Sequence, residues 1–210
     1  MSWEDYIPDD IKVLFEIHEF NHAAAILAHE FPNEFNDLCN ALRQFRFTEQ
    51  DVKEKGGSES QIPKKFSLIL RPLGWLPEEL EVKKVVNNVE TKASTHEIDY
   101  VKGRVALDLE WNSKDQTFDR DLYAFRAFFD NDRISLGIII TRSNELDPWF
   151  KSLGTYEENN KIKKYSAKYG ASTTQMGKLL PRLVGGRHGG CPVLVFGIQT
   201  KSLLIQTQTI

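Results

Sequence analysis

Ile11, Leu14, Phe15 and His18 keep the i, i+3, i+4, i+7 spacing of one helix face. Pro32 restarts the pattern with Phe35, Leu38, Cys39 and Leu42, so residues 9–46 predict two helices. Residues 53–60, Lys-Glu-Lys-Gly-Gly-Ser-Glu-Ser, have the composition of a loop. A helix is expected from Pro63 to about residue 70, because proline suits a first helical turn. Gly74-Trp75-Leu76-Pro77 reads as a turn. Residues 78–92 are ambiguous: Leu80, Val82, Val85, Val86 and Val89 suit a helix face or a strand.

From residue 98 the order is clearer. A strand pair is expected over 98–110, then a loop from Trp111 to Gln116. A helix over about 118–130 would carry Phe118, Leu122, Phe125, Phe128 and Phe129. Ile134–Ile140 and Pro192–Ile198 are near-continuous apolar runs of the kind that strands buried on both faces need. Between them a helix is expected to begin near Thr173–Gln175. The sum is an α/β core, a central mixed β-sheet flanked by helices. The expected organisation is one domain over 1–210. A mainly helical part covers 1–92, a strand-helix-strand core 98–141, a basic insert 151–190 and C-terminal strands 191–210.

The polar positions of the strand pair carry the candidate chemistry. Asp99 stands before a turn; nine residues later Asp108 and Glu110 alternate with Val105, Leu107 and Leu109. Period-two alternation puts Asp108 and Glu110 on one face. Carboxylates gathered by a hairpin repel one another and are costly to desolvate, and a hard divalent cation such as Mg²⁺ would offset both costs. Spacing alone also allows the plainer reading, a solvated strand face.

Composition adds bounds. With 40% hydrophobic and 27% charged residues, 13 Phe and 4 Trp, the chain has material for a globular core. No apolar run reaches the roughly 18–20 residues that span a bilayer, so no membrane association is expected. The acidic start, Met1-Ser-Trp-Glu-Asp-Tyr, does not read as a secretory signal, and a cytoplasmic location is the expectation. Cys39 and Cys191 follow no ligand spacing and are expected to be buried free thiols. His18 and His22, four apart on an expected helix, form a possible metal clamp, although such pairs are more often surface or core histidines. The net charge of −3 argues against a surface that binds nucleic acid everywhere. Its distribution differs: 161–188 holds Lys161, Lys163, Lys164, Lys168, Lys178, Arg182 and Arg187 with no Asp or Glu. That window predicts a positive patch on an acidic molecule.

The run Asp99-Tyr-Val-Lys-Gly-Arg-Val-Ala-Leu-Asp-Leu-Glu-Trp, with Asp121-Leu-Tyr, Ala127-Phe, Arg133-Ile-Ser-Leu-Gly, Gly185-Gly-Arg-His-Gly-Gly and Pro192-Val-Leu-Val-Phe-Gly-Ile, resembles the type II restriction endonucleases of the BglII/BstYI group. The similarity is strongest over about 98–198 and extends weakly to Phe66 and Gly74-Trp75. It implies a restriction-endonuclease-like core of the PD-(D/E)xK superfamily, and a homodimer that cuts double-stranded DNA at a short palindromic site with one or two Mg²⁺ ions. Carried over, the catalytic and metal residues are Asp99, Asp108 and Glu110, with the backbone carbonyl of Leu109 as a further ligand. Glu110 departs from the lysine or glutamine usual there, and is either a ligand or a general base. Ile98 stands where the motif's proline is usual. An upstream helix-borne ligand would align near Pro63, which cannot serve; Glu59 or Gln61 are the substitutes.

Sequence reading is expected from the basic insert. Ser172, Thr173, Thr174, Gln175 and Lys178 at a helix start are the base-contact candidates, with Arg187 and His188 beside them and Lys114 after the catalytic strand. A plain helix cap is the competing reading of Ser172–Gln175. The lysines of 161–168 suit phosphate. Three other functions stay open: a repair or mobile-element nuclease on the same core, a DNA-binding module without catalysis, and a plain interaction domain, which would leave the acid-free window of 161–188 without a role.

Overall fold

The computed structural model describes residues 2–54, 60–94 and 96–204. The chain opens with α1 (Asp9–Leu14), β1 (Phe15–Phe20), α2 (Ala23–Glu30), α3 (Pro32–Gln44), α4 (Glu49–Lys53) and α5 (Gln61–Leu70). The strands β2 (Leu76–Glu78), β3 (Glu81–Val86), β4 (Val89–Ser94), β5 (Ile98–Lys102) and β6 (Val105–Glu110) follow. Then come α6 (Thr117–Asp130), β7 (Leu136–Arg142), α7 (Asp147–Ser152), β8 (Thr155–Glu158), β9 (Lys161–Lys164), α8 (Met176–Val184) and β10 (Val193–Ile198). Among the described residues no helix is long and apolar enough to cross a membrane.

Six strands form one mixed sheet in the order β1-β10-β7-β6-β5-β2. The three central strands, β10, β7 and β6, run parallel, with Val195 opposite Ile139 and Asp108 opposite Ile139 on its other side. The outer pairings are antiparallel. Every residue of β6, β7 and β10 is buried, which is why these strands read as continuous apolar runs. Alternation divides them between two cores. Leu107, Leu109, Ile138, Ile140, Leu194 and Phe196 meet the N-terminal helices and α7, where Leu38, Phe66 and Phe150 fill the layer. Ala106, Ile139, Val193 and Val195 face α6 and α8 through Phe118, Leu122, Phe125, Leu179 and Leu183. The Phe125 ring of α6 lies directly on Gly137 of β7; a Cβ there would overlap the ring.

The expected mixed sheet flanked by helices is present, with local differences. Residues 15–20 are a strand: Phe15 is already extended, and Phe15 to Phe20 pair with Ile198 to Val193. A ladder with a buried strand outweighs the helix stripe read through Phe15 and His18. His18 and His22 therefore share no helix: His18 lies on β1 bonded to Glu16, and His22 precedes α2 with a φ of 58°. Residues 76–78 form an edge strand, which tolerates Pro77 because an edge leaves one side of the backbone unpaired. Residues 81–94 form a hairpin turned by Asn87 and Asn88, both at positive φ as a tight hairpin requires. The helix expected from Pro63 begins at Gln61. The expected loop over 53–60 begins inside α4, and its residues 55–59 lie outside the described residues, as does the tail of the expected C-terminal strands beyond 204. Cys39 and Cys191 are buried and free.

Candidate active site

The turn between β5 and β6 brings Asp99 beside Asp108. Ladder partners run only from Tyr100–Leu107 to Lys102–Val105. Beyond them side chains take over: the Asp99 amide donates to Asp108 Oδ1 at 2.8 Å, and the Leu109 amide donates to Asp99 Oδ2 at 3.3 Å. Two carboxylates thus substitute for main-chain acceptors where the strands diverge. Thr141 ties the end of β6 to β7, its hydroxyl donating to the Glu110 carbonyl at 2.7 Å.

Asp108 and Glu110 point under α6 with 3% and 6% of their surface exposed, which rules out a solvated strand face. A fourth acid, Asp121 of α6, is 1% exposed against them. Burial is the main force on all four, because a carboxylate away from water favours its neutral form. It pushes Asp121 up to about 10, helped by the charges of Asp108 and Glu110. Glu110 is pushed up to about 7 by burial, against a hydrogen bond from Ser113. Asp108 stands well above the ordinary carboxylate range through burial and then the Asp99 charge. Asp99 lies open to solvent on one side, yet desolvation still raises it despite the Leu109 amide.

The donor set suits a hard divalent cation. All four side chains offer oxygen, and Glu110 Oε2 and Asp121 Oδ2 are buried without a hydrogen-bond partner. Their mutual repulsion is of the kind a cation relieves. As the side chains stand, no three His, Cys, Asp or Glu among the described residues converge on a common point. Asp99 and Asp108 are turned towards main-chain amides instead.

Asp121 had no assigned role in the sequence reading. The signal was its place in the apolar stripe of α6: it lies three residues after Phe118 and four before Phe125. Arg120, on the same turn, was also unassigned; its Nη2 lies 3.4 Å from Asp121 Oδ1 and 4.0 Å from Glu110 Oε1. Of the upstream substitutes, Glu59 lies outside the described residues, and Gln61 donates to Glu54 at 2.7 Å.

The segment before α8 is joined to the strand that carries the acids. Lys114 and Thr173 are antiparallel bridge partners. The Asp115 amide donates to the Ser172 carbonyl, and the Thr174 amide to that of Ser113. The helix starts at Met176 and not at Ser172, because this pairing holds 172–174 extended. Lys114, Ser172 and Arg187 are exposed and Lys178 is half-buried. Thr174, Gln175 and His188 are buried. Asn144 donates to Gln175 Oε1 at 2.8 Å, and His188 Nδ1 donates to the Cys191 carbonyl at 2.7 Å. Thr173 accepts from the buried Arg142 guanidinium. Lys161, Lys163 and Lys164 stand exposed on the β8–β9 hairpin.

A mixed sheet with helices on both faces and acids at the splayed end of an antiparallel pair defines an α/β protein of the restriction-endonuclease-like class. Residues 15–198, from the first residue of β1 to the last of β10, match the family model described as restriction endonuclease BglII/BglIII, and the chain belongs to that family. Membership makes it an endonuclease that binds and cuts DNA. No individually curated protein matches the chain.

Proposed function

We propose that the protein is a type II restriction endonuclease, a cytoplasmic homodimer that cuts double-stranded DNA at a short palindromic site with Mg²⁺. The observation that carries this reading is the gathering of Asp99, Asp108, Glu110 and Asp121, with two buried oxygens lacking partners. Asp99, Asp108 and the Leu109 carbonyl would hold the cation, with Glu110 beside them. When bound, Mg²⁺ supplies positive charge against the scissile phosphate and the leaving 3′-oxygen and makes water more acidic. Glu110 accepts the proton of the attacking water at Oε2. Burial keeps bulk water away, so each charge acts in a medium that screens it weakly.

Lys114, Ser172, Lys178 and Arg187 supply the DNA face, and the lysines of β9 hold phosphate. Thr173, Thr174, Gln175 and His188 support that face from within. Digestion of phage DNA in Mg²⁺, followed by sequencing of fragment ends, tests the reading. One recurring palindrome is expected; random nicks or no cutting in Mg²⁺ and Mn²⁺ would overturn it. Asp108→Asn and Glu110→Gln should bind the same DNA without cutting it, and cleavage by the doubly substituted protein would remove these residues from the mechanism.

A further inference from the structure

Three buried carboxylates, Asp108, Glu110 and Asp121, and the exposed Asp99 beside them have one cationic side chain at hand among the described residues. The Arg120 guanidinium is the only Lys or Arg group there within 4.0 Å of any of them.

Its neighbours are otherwise engaged. Arg182 and Arg187 both bind Asp119, the residue before it. Arg126 pairs with Asp130, and Arg133 holds Glu78 through two bonds of 2.5 Å. Arg104 bonds Asp132 and Ser135. Arg120 instead makes two loose contacts through one nitrogen, and its side chain remains 47% exposed. A guanidinium has five N–H donors in a planar fork that matches phosphate. In Arg120 only Nη2 has a hydrogen-bond or ion-pair partner among the described residues. A cation held by these carboxylates would compete with Arg120 for the same oxygens, and the guanidinium would then need another anion within reach.

We propose that Arg120 is a catalytic residue that binds the scissile phosphate, and so supplies from α6 the positive group that Glu110 displaces from the strand. The inference rests on the nuclease reading above. A residue on the first turn of a helix anchored by Phe118 and Leu122 has a fixed base, and the Arg120 head already reaches the acids at 3.4 Å from Asp121 and 4.0 Å from Glu110. Contact with a non-bridging oxygen, whose charge grows during displacement, stabilises the transition state more than the bound ground state.

The test uses the full chain and a synthetic duplex carrying the cut site read from the digest. Arg120→Ala is expected to lower kcat by 100-fold or more, while duplex affinity in Ca²⁺ stays within about fivefold. Arg120→Lys should regain about tenfold of the lost rate. A second duplex carries a neutral methylphosphonate at the scissile position. The unsubstituted protein should bind it about tenfold more weakly than the normal duplex, and Arg120→Ala should show a smaller penalty of about twofold to threefold. Should Arg120→Ala lower the Tm, Arg120→Gln, of similar length, replaces it in both assays. Unchanged kcat, or an equal methylphosphonate penalty in variant and parent, overturns the role of Arg120 and leaves the nuclease reading standing. Absence of cleavage by the parent would defeat the nuclease reading itself.

Discussion

Lys114 and Thr173 face each other as antiparallel bridge partners, so the loop leaving the acid-bearing strand and the segment entering α8 are one piece of structure. Arg142 fixes that piece from below. Its guanidinium is fully buried, pairs with Asp147 at 2.9 Å, and donates to Thr173 Oγ1 at 2.8 Å and to the Tyr169 carbonyl at 3.1 Å. Phe150 and Tyr169, stacked with centroids 4.0 Å apart, lie beside it.

Thr173→Val keeps the shape and removes the acceptor. A hydrogen bond to a buried charge is worth roughly 1.5–3 kcal/mol. The variant should lose about that much stability, and at about 2–4 °C per kcal/mol its Tm should fall by several degrees. Thermal unfolding checks this. An unchanged Tm would mean that Tyr169 and Asp147 suffice for Arg142.

The acid cluster gives stability an unusual dependence on pH. Asp121 and Glu110, raised to about 10 and about 7, bind protons in the folded chain at pH values where the unfolded chain has released them. Their contribution is fully present below the unfolded pKa of about 4 and is lost as pH rises through the folded values. Asp51 and Asp119, lowered by Lys65 and Arg182, act in the opposite sense below about pH 4. In chelator, Tm should therefore be highest near pH 5 and fall towards pH 8. Asp121→Asn should flatten that fall and melt above the parent at pH 8. A parent Tm independent of pH from 5 to 8 would refute the assignment of charge to this cluster.

Gly137→Ala tests how tightly α6 is seated. The added methyl meets the Phe125 ring, and overpacking of this kind costs about 1–3 kcal/mol. Combination with Phe125→Leu should recover part of the loss in urea unfolding, since the two sites are in contact. Additive losses would place the strain elsewhere.

Much of the frame was legible in the sequence. The apolar runs of β7 and β10 and the stripe of α6 survive because long, locally consistent patterns compete with little else. The hidden parts depend on distant partners. β1 continues a helix stripe without any breaker, and only pairing with β10 makes it a strand. Asp121 was visible as an acid on an apolar face, but what it faces comes from β6. Thr174 and Gln175 look like a helix cap; Ser113 and Asn144, from other elements, draw them inside.

The pairing of β1 with β10 also orders the assembly of the molecule in time. A ribosome releases β1 before the other described strands and β10 after them, and β10 must slide between β1 and β7 to complete the sheet. Until then Phe15 and Ile17 have no strand beside them, and one edge of β7 lies open to unwanted association. The acids have long been synthesised by that stage, but the scaffold that holds them is unfinished. Competence to cut should therefore arrive late, as a step that closes an early strand onto a late one.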